Sequence, residues 1–439
     1  MKPVEELFNT VEKPILLLGK GPTFSERDKF LLPKFFTVTL NHAAREQESD
    51  LCSIIDIDVF KDCGEEIYKN SKNIVIPWHP HAKFRASQEN LEFWIKELPL
   101  LGKIEEEGRL YWYNLQTFNQ RGGKQKDGGK VYPARINNGD TFYGVCAING
   151  FKKIYSLGLD GGKSYASEFS DLKPFTNGQT TFDAQQPYFQ KISAQNNSKL
   201  IPLGKKETIQ VFAGSDKAQL IPTLVLDYSI KKHTMNPSIV VPLHLLETNH
   251  RMPKNPKHRP RTPFSFKRFF IPQFAKGKAF YMDSDMQVFK DMADLLKLDF
   301  EDNEVLYSGG MDNFPGWKSS NFAMLLIDCD NVSWNMESII DQMDEGKLSY
   351  EQLMFEFKHA KTKGCLGTNG EWNSLDHYVE GETANLHYTN MATQPWTHKG
   401  HKYEELWVND LKEAVDCGFI DEELVREHQS KGWIRKFIK

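Results

Sequence analysis

Short continuous apolar runs recur through the first half of the chain. Residues 14–18, 35–40, 51–57, 74–77 and 153–157 each have the length and composition of a buried strand, and residues 141–149 predict a short helix. Strands that alternate with helical segments indicate a mostly parallel sheet. The first half is therefore predicted to be an α/β domain.

A polar stretch rich in Asn, Gln and Ser, residues 177–198, ends this pattern, and a new apolar run follows at 208–213. A chain of 439 residues is too long for one ordinary core. We therefore predict two domains, residues 1–205 and 206–439. In the second, helices are predicted at 218–232 and 263–272, and strands at 239–243 and 279–282.

The strand predicted at 279–282 runs directly into the acidic sequence Asp283-Ser284-Asp285. In α/β sheets, ligands collect outside the carboxyl ends of the strands. Two carboxylates there can hold a hard divalent cation that also binds a substrate diphosphate. An acidic turn without a metal is the alternative, and for this motif alone it is the commoner case.

Composition excludes several classes of protein. With 39% hydrophobic and 26% charged residues the chain is typical of a globular protein, and a net charge of −4 argues against nucleic acid as a partner. The six cysteines form no C-x-x-C pair, which favours buried thiols in a reducing compartment. Residues 1–10 lack a signal pattern, and no apolar run approaches the roughly 18 residues of a membrane span. We expect a cytoplasmic protein.

Two charged stretches allow more than one interpretation. Residues 250–282 contain nine Lys or Arg and no acidic residue, which suits a phosphorylated substrate or peripheral contact with the inner membrane face. A solvated basic loop is the alternative. The glycine-rich residues 121–130 predict either a lid over a site or, with more weight, a linker.

From Ile209 onward the motifs resemble the retaining nucleotide-sugar glycosyltransferases that include glycogenin and the bacterial lipopolysaccharide galactosyltransferases. The matching sequences follow the order of that family and cover about half of the chain: Ser215-Asp216, Lys267-Arg268-Phe269-Phe270-Ile271-Pro272, Asp283-Ser284-Asp285, Ser320-Asn321-Phe322, Tyr350-Glu351-Gln352-Leu353, Glu371-Trp372-Asn373 and His387 with Pro395-Trp396. Glu351, Asn390 and Gln394 depart from the Asp, Gly and Lys usual at those places.

This resemblance implies a GT-A-type fold and a metal-dependent transfer of a hexose from a UDP-sugar, with retention, to a surface-glycan or lipid-linked acceptor. It implies that Mn²⁺ (or Mg²⁺) is held by Asp283, Asp285 and His387. Catalysis at the anomeric carbon is assigned to Gln352, with Glu351 beside it. The residues it implies for nucleotide-sugar binding are Ser215, Asp216, Arg268, Asp283, Ser284, Asn321, Trp372 and Asn373.

The first half resembles the Rossmann-like bacterial sialyltransferases and their relatives. The sequences that carry this resemblance are Leu18-Gly19-Lys20-Gly21-Pro22-Thr23, Asn41, Arg135-Ile136-Asn137-Asn138-Gly139, residues 150–160 and Ser164-Tyr165-Ala166. The residues it implies for nucleotide binding are Gly19, Gly21, Pro22, Thr23, Asn41, Asn138, Asp160 and Tyr165. The glycines suggest backbone N–H groups free to approach a phosphate, and a plain tight turn is the alternative of about equal weight. No histidine occurs between His81 and His233, although the family has a catalytic histidine downstream of the position of Tyr165.

Three functions therefore stay open. The leading one is a glycosyltransferase whose active site lies in the second half. The second places the main, sialyltransferase-like transfer in the first half. The third is a non-catalytic scaffold that binds a glycan or a nucleotide.

Overall fold

The computed structural model describes residues 1–83, 85–116, 125–133, 137–174, 180–308, 322–367 and 370–437. The chain divides into two compact units, Met1–Lys206 and Glu207–Lys439. Residues 121–124 of the glycine-rich region, Arg135 with Ile136, and Ser320 with the predicted donor-site residue Asn321 lie outside the described residues. No helix among the described residues is long and apolar enough to cross a lipid bilayer.

The first unit is built on a nine-stranded sheet in which all strand pairs are parallel. Its strands are β1 (Lys2–Pro3), β2 (Ile15–Leu18), β3 (Phe36–Leu40), β4 (Ser49–Ser53), β5 (Ser71–Pro77), β8 (Leu110–Gln116), β9 (Val131–Pro133), β10 (Lys153–Leu157) and β11 (Lys199–Pro202). The order is β1-β8-β5-β4-β3-β2-β10-β11, with β9 beside β8. A separate antiparallel pair consists of β6 (His81–Ala82) and β7 (Arg85–Ala86).

Helices connect these strands, as the alternation of patterns predicts. They are α1 (Val4–Phe8), α2 (Ile57–Asn70), α3 (Leu91–Glu97), α4 (Pro99–Glu106), α5 (Asn138–Ile148) and α6 (Gln186–Asn196). The strand predicted at 51–57 is too long, because β4 ends at Ser53 and Asp56 caps α2 by accepting a hydrogen bond from the Asp58 N–H. An N-cap carboxylate starts a helix even where the preceding residues are apolar.

The second unit has a mixed six-stranded sheet in the order β13-β12-β14-β17-β16-β18, and a three-stranded sheet in the order β15-β20-β19. The strands are β12 (Ile209–Gly214), β13 (Ser238–Pro242), β14 (Lys278–Asp283), β15 (Met286–Val288), β16 (Val305–Tyr307), β17 (Met324–Asp328), β18 (Thr362–Gly364), β19 (Ser374–Leu375) and β20 (Asn385–His387). The helices are α7 (Leu220–His233), α8 (Ile271–Phe274), α9 (Met336–Asp344), α10 (Tyr350–Met354), α11 (Glu404–Asp416) and α12 (Glu422–Ser430). The predicted α/β class is confirmed.

The helix predicted at 263–272 is wrong. The structure has a 3₁₀ turn at Lys267–Phe270 and then the four-residue helix α8. Pro272 lies in the first turn of α8, where its missing N–H is tolerated, but it prevents a longer helix from running through this position. Phe266, Phe269 and Phe270 are all buried, so packing of the aromatic side chains determines the path of this segment.

Candidate functional site

Three potential metal ligands meet at the carboxyl end of β14. Asp283 is the last residue of that strand and is paired in register with Gly214 of β12. The chain turns at Ser284 and Asp285 into β15, whose first residue pairs with His387 of β20. One ligand atom from each of Asp283, Asp285 and His387 lies within 4.8 Å of the others. Pairing of β15 with β20 therefore brings a histidine from a distant part of the sequence to the acidic motif.

Asp283 is held by a buried chain of hydrogen bonds. The Tyr281 hydroxyl donates to Asp283 Oδ1 at 2.5 Å, and the Arg268 guanidinium donates to the Tyr281 oxygen at 2.8 Å. That guanidinium also lies 4.1 Å from the centre of the Tyr281 ring and donates to the Phe322 carbonyl. Arg268 thus reaches the acidic motif through Tyr281.

Gly214 makes room for this arrangement. A Cβ atom added at Gly214 would lie 2.4 Å from the Tyr281 hydroxyl oxygen and 3.1 Å from Asp283 Oδ1. Real Cβ atoms do not approach other heavy atoms as closely as 2.4 Å. The small residue at the end of β12 is therefore required for the Tyr281–Asp283 hydrogen bond.

His387 is buried and is contacted at both ring nitrogens. Its Nδ1 lies 3.0 Å from Asn373 Oδ1, and its Nε2 lies 3.0 Å from Asp285 Oδ1. Because an amide oxygen only accepts hydrogen bonds, the Nδ1 carries the proton in this contact. A hydrogen bond of this kind fixes the ring and leaves Nε2 as the nitrogen that can ligate a metal.

Asp285 is held by the segment that follows β20. Gln394 Nε2 donates to Asp285 Oδ2 and to the Tyr388 carbonyl, both at 3.1 Å, and the Tyr388 N–H donates to the Asp285 carbonyl at 2.8 Å. Gln394 replaces the lysine expected from the family resemblance. Its contact with Asp285 is not predicted from the sequence. The position of Gln394 directly before the matching Pro395-Trp396 is the sequence feature that could have indicated it.

The electrostatics of the cluster favour a bound cation. Burial and the nearby Asp285 carboxylate raise the pKa of Asp283. Burial lowers the pKa of His387, but the carboxylates of Asp285 and Asp283 outweigh this and raise it overall. Two crowded carboxylates and one imidazole form a mixed oxygen and nitrogen set that suits Mn²⁺ and, less well, Mg²⁺. The residues present therefore fit a divalent metal.

Ser215, Asp216 and Ser284 lie next to the paired strand ends. Ser215 is buried, with its hydroxyl 3.1 Å from His244 Nδ1, and Ser284 is buried with its N–H bonded to the Gly214 carbonyl at 3.2 Å. Asp216 Oδ1 accepts from the N–H groups of Ala218 at 2.9 Å and Gln219 at 3.1 Å, as a helix cap. The structure thus brings these three predicted residues to the edge of the sheet that carries the acidic motif.

Gln352 and Glu351 occupy the start of α10. Gln352 Oε1 accepts from the Ser349 N–H at 2.9 Å, while Ser349 Oγ accepts from the Gln352 N–H at 3.1 Å. This reciprocal pair is a capping box. Glu351 is exposed and forms an ion pair of 2.6 Å with Arg261. The side-chain hydrogen bonds of Gln352 to other described residues therefore stay within the start of its own helix.

The two residues expected to face the sugar have buried side chains. Trp372 belongs to the hydrophobic cluster that includes Phe280 and Met282 of β14. Asn373 is 1% exposed and contacts His387. In the structure the Asn373 side chain therefore faces the His387 ring.

The basic segment at 250–282 is partly neutralised within the second unit. Arg251 forms ion pairs of 3.2 Å with Glu337, 2.6 Å with Asp341 and 2.5 Å with Asp344 of α9. Together with the Arg261–Glu351 pair, these contacts reduce the positive field that the sequence suggests.

The first unit has a separate pocket where its strand order reverses. The chain passes from β2 outward through β3, β4 and β5 on one side, and returns to the other side of β2 as β10. Ligands of open α/β sheets bind at such a switch point. The pocket there has a volume of about 120 Å³. Its lining includes six predicted residues, Gly19, Gly21, Asn41, Asn138, Asp160 and Tyr165, but not Pro22 or Thr23.

The glycines of this pocket do not present free N–H groups, contrary to expectation. Gly19 donates to the Leu157 carbonyl and Gly21 to the Gly158 carbonyl, each at 2.9 Å. A Cβ at Gly19 would lie 2.3 Å from the Gly158 oxygen. These glycines are needed because the loops after β2 and β10 are in direct backbone contact.

Comparison with known proteins identifies no family. No protein-family model matches the chain, and no curated protein sequence matches it. Solved glycosyltransferases show a weak likeness. GlyE of Streptococcus pneumoniae TIGR4 has 18% identity and a TM-score of 0.34, over 53% of this chain and 67% of GlyE.

Two further structures show a similar degree of likeness. The galactosyltransferase LgtC, solved in complex with donor and acceptor sugar analogs, has 16% identity and a TM-score of 0.34, over 51% of this chain and 100% of LgtC. The bifunctional glycosyltransferase WbbM has 10% identity and a TM-score of 0.31, over 52% of this chain and 57% of WbbM. At these values the likeness does not assign a function to this chain.

Proposed function

We propose that the second unit is a metal-dependent glycosyltransferase that moves a hexose from a UDP-sugar, with retention, to a surface-glycan or lipid-linked acceptor. The observation that carries this proposal is the convergence of Asp283, Asp285 and His387 at the carboxyl end of β14. The order of sequence motifs from Ile209 onward supports the same activity.

In this proposal Asp283, Asp285 and His387 hold Mn²⁺ (or Mg²⁺). When bound, a divalent ion neutralises the negative charge that develops on a diphosphate leaving group. The chain's own residues prepare that site: Tyr281 orients Asp283 and Asn373 orients His387. Preorganised ligands need little rearrangement on metal binding.

The donor would lie along the edge formed by the ends of β12 and β14. Ser215 and Asp216 are proposed to contact the uridine, and Ser284 the diphosphate. Arg268 is proposed to act on the diphosphate side through Tyr281, because its guanidinium is bonded to that side chain. Gln352 is proposed to support the anomeric carbon on the sugar face opposite the leaving group, with Glu351 beside it.

A donor screen tests this proposal. The full chain is incubated with a panel of UDP-sugars, with and without Mn²⁺, and released UDP is measured. We expect release from at least one UDP-sugar, loss of release on chelation, and a transfer product with the anomeric configuration of the donor. Binding of UDP without turnover of any donor would favour the scaffold function instead.

The acceptor side of the proposal includes peripheral contact with an anionic membrane surface. The basic residues at 250–282 include the exposed Lys254, Lys257 and Arg259, which are proposed to make this contact, whereas Arg251 and Arg261 form ion pairs. Co-sedimentation with vesicles containing anionic lipid, at low and high salt, tests this contact.

A second candidate function, nucleotide binding by the first unit, is favoured by the pocket at its switch point. We propose that this pocket binds a nucleoside monophosphate or the corresponding part of a nucleotide sugar. A sialyltransferase-like transfer there is tested by the same donor screen with CMP-sugars in the presence of a chelator. Turnover of a CMP-sugar under those conditions would place transfer in the first unit.

A further inference from the structure

Most polar groups of the pocket in the first unit are already bonded to one another. Asn138 Nδ2 donates to Asn41 Oδ1 at 2.9 Å and to the Ser53 carbonyl at 2.6 Å, and Ser53 donates back to Asn138 Oδ1 at 3.0 Å. Asp160 accepts from the N–H and the hydroxyl of Thr23, at 2.8 and 2.5 Å. These side chains shape the pocket, but their main hydrogen-bonding capacity is satisfied without a ligand.

Lys20 is different because it brings a positive charge to the pocket. It lines the pocket, and its Nζ lies 4.4 Å from the centre of the Tyr165 ring. Among the described residues no carboxylate forms an ion pair with it. Burial, with a smaller contribution from the nearby Arg45 guanidinium, lowers the pKa of Lys20 to about 8. An aromatic face attracts an ammonium but does not neutralise it, so the group remains open to an anion.

Gln185 supplies a second polar group that is able to bind a ligand. It lines the same pocket and is 7% exposed, and its Oε1 has no hydrogen-bond partner among the described residues. Leaving a buried acceptor unpaired costs free energy. This oxygen lies at the start of α5, since a Cβ added at Gly139 would be 2.8 Å from it.

One short turn presents both an aromatic ring and this amide. Phe182 and Gln185 are the first and last residues of a 3₁₀ turn, and positions three apart in such a turn lie on the same face. Phe182 stacks on Tyr165 with ring centres 5.2 Å apart and planes at 28°. The turn therefore places Gln185 beside the stacked rings of Phe182 and Tyr165, and Lys20 lies over the Tyr165 ring.

We infer that Lys20 and Gln185 are the residues that select the ligand of this pocket. The Lys20 ammonium binds the phosphate of a nucleoside monophosphate, and Gln185 Oε1 accepts a hydrogen bond from an N–H or O–H group of the same ligand. This inference rests on the proposed nucleotide site and names the two side chains that make it specific. Lys20 lies within a stretch that carries the family resemblance, but neither Lys20 nor Gln185 is among the residues that the resemblance implies for nucleotide binding.

Calorimetry on the full chain tests the assignment. The four common nucleoside monophosphates and their nucleosides are titrated in the presence of EDTA, so that no divalent metal binds to Asp283, Asp285 and His387 of the second unit. We expect at least one monophosphate to bind more tightly than its nucleoside. Lys20→Met should reduce the affinity for the monophosphate by about tenfold or more and leave the affinity for the nucleoside unchanged. Gln185→Met should weaken the monophosphate and its nucleoside alike.

Lys34→Met is the matched control. Lys34 belongs to the same unit and its Nζ lies 5.2 Å from the centre of the Phe35 ring, but it does not line the pocket. We expect wild-type affinities from this variant. Retention of the full phosphate preference by Lys20→Met would overturn the inference while leaving the nucleotide site intact. Failure of wild-type protein to bind any monophosphate would overturn the proposed site itself.

Amine acylation of the wild-type protein gives a test that does not depend on folding of a variant. A monophosphate that binds should protect Lys20 from an acylating reagent, as read by peptide mass spectrometry, whereas its nucleoside should protect it less. Acylation of Lys34 should not change with either. Equal modification of Lys20 with and without a saturating monophosphate would contradict the proposed contact.

Discussion

The polar residues at the strand ends of the two units differ in how far neighbouring protein groups satisfy their charge and hydrogen bonds. In the second unit Asp283 and Asp285 are crowded beside a single imidazole, so their negative charge is only partly compensated. In the first unit Asn41, Asn138 and Asp160 are bonded to neighbouring protein groups. The comparison teaches that a polar residue at a strand end is stronger evidence of ligand binding when its charge or hydrogen-bonding capacity is not fully met by the protein.

The largest effect expected from this difference is loss of a metal ligand. Asp285→Asn keeps the shape of the side chain but removes its charge, and we expect Mn²⁺-dependent UDP release to fall by more than about 100-fold. The measurement is UDP release across Mn²⁺ concentrations. Asp294→Asn is the control, since Asp294 is an exposed aspartate that forms an ion pair with Lys297. Wild-type activity in Asp285→Asn would contradict the metal assignment.

The next effect separates catalysis from helix capping at Gln352. Gln352→Ala should lower turnover by about 100-fold if the amide acts at the anomeric carbon. Ser349→Ala breaks the same capping box from the other side and should leave turnover near wild type. Equal losses of turnover in the two variants, with equal losses of stability, would show that Gln352 acts only through the helix.

A smaller effect is expected for the residue that orients His387. Asn373→Ala should weaken Mn²⁺ binding by about 10- to 100-fold, because Asn373 accepts a hydrogen bond from His387 Nδ1 and so fixes the ring without touching the metal. Calorimetric titration with Mn²⁺ measures this directly. Asn373→Asp, which keeps an acceptor for Nδ1, should restore most of the affinity. Unchanged affinity in Asn373→Ala would exclude the orienting role.

The smallest effect is expected from a substitution in the first unit, which should change the free energy of unfolding but not metal binding. Thr23→Val removes the hydroxyl that donates to Asp160 and accepts from the Gly158 N–H. We expect a loss of about 1–3 kcal/mol in the free energy of unfolding of that unit, measured by denaturant titration, and no change in Mn²⁺ affinity. A change in Mn²⁺ affinity would mean that the two regions are not independent.

Local pattern predicted the secondary structure well where apolar runs were short and ended in turn residues. The run at 153–157 coincides with β10, and the helix predicted at 218–232 corresponds to α7 at Leu220–His233. The pattern failed at 51–57 and at 263–272. At the first site a side-chain cap at Asp56 determines the backbone path, and at the second the packing of buried phenylalanines does so. Neither effect produces a periodic pattern of hydrophobic residues in the sequence.

The sequence by itself determined the α/β character of both units and the position of Asp283 and Asp285 after a buried strand, because these depend on neighbouring residues. Only the tertiary structure decided that Asn373 and Gln394 contact His387 and Asp285. It also decided that, among the described residues, Lys20 forms no ion pair and Gln185 Oε1 has no hydrogen-bond partner. Strand pairing and packing bring together residues far apart in the chain. Whether a polar group is satisfied depends on those distant neighbours.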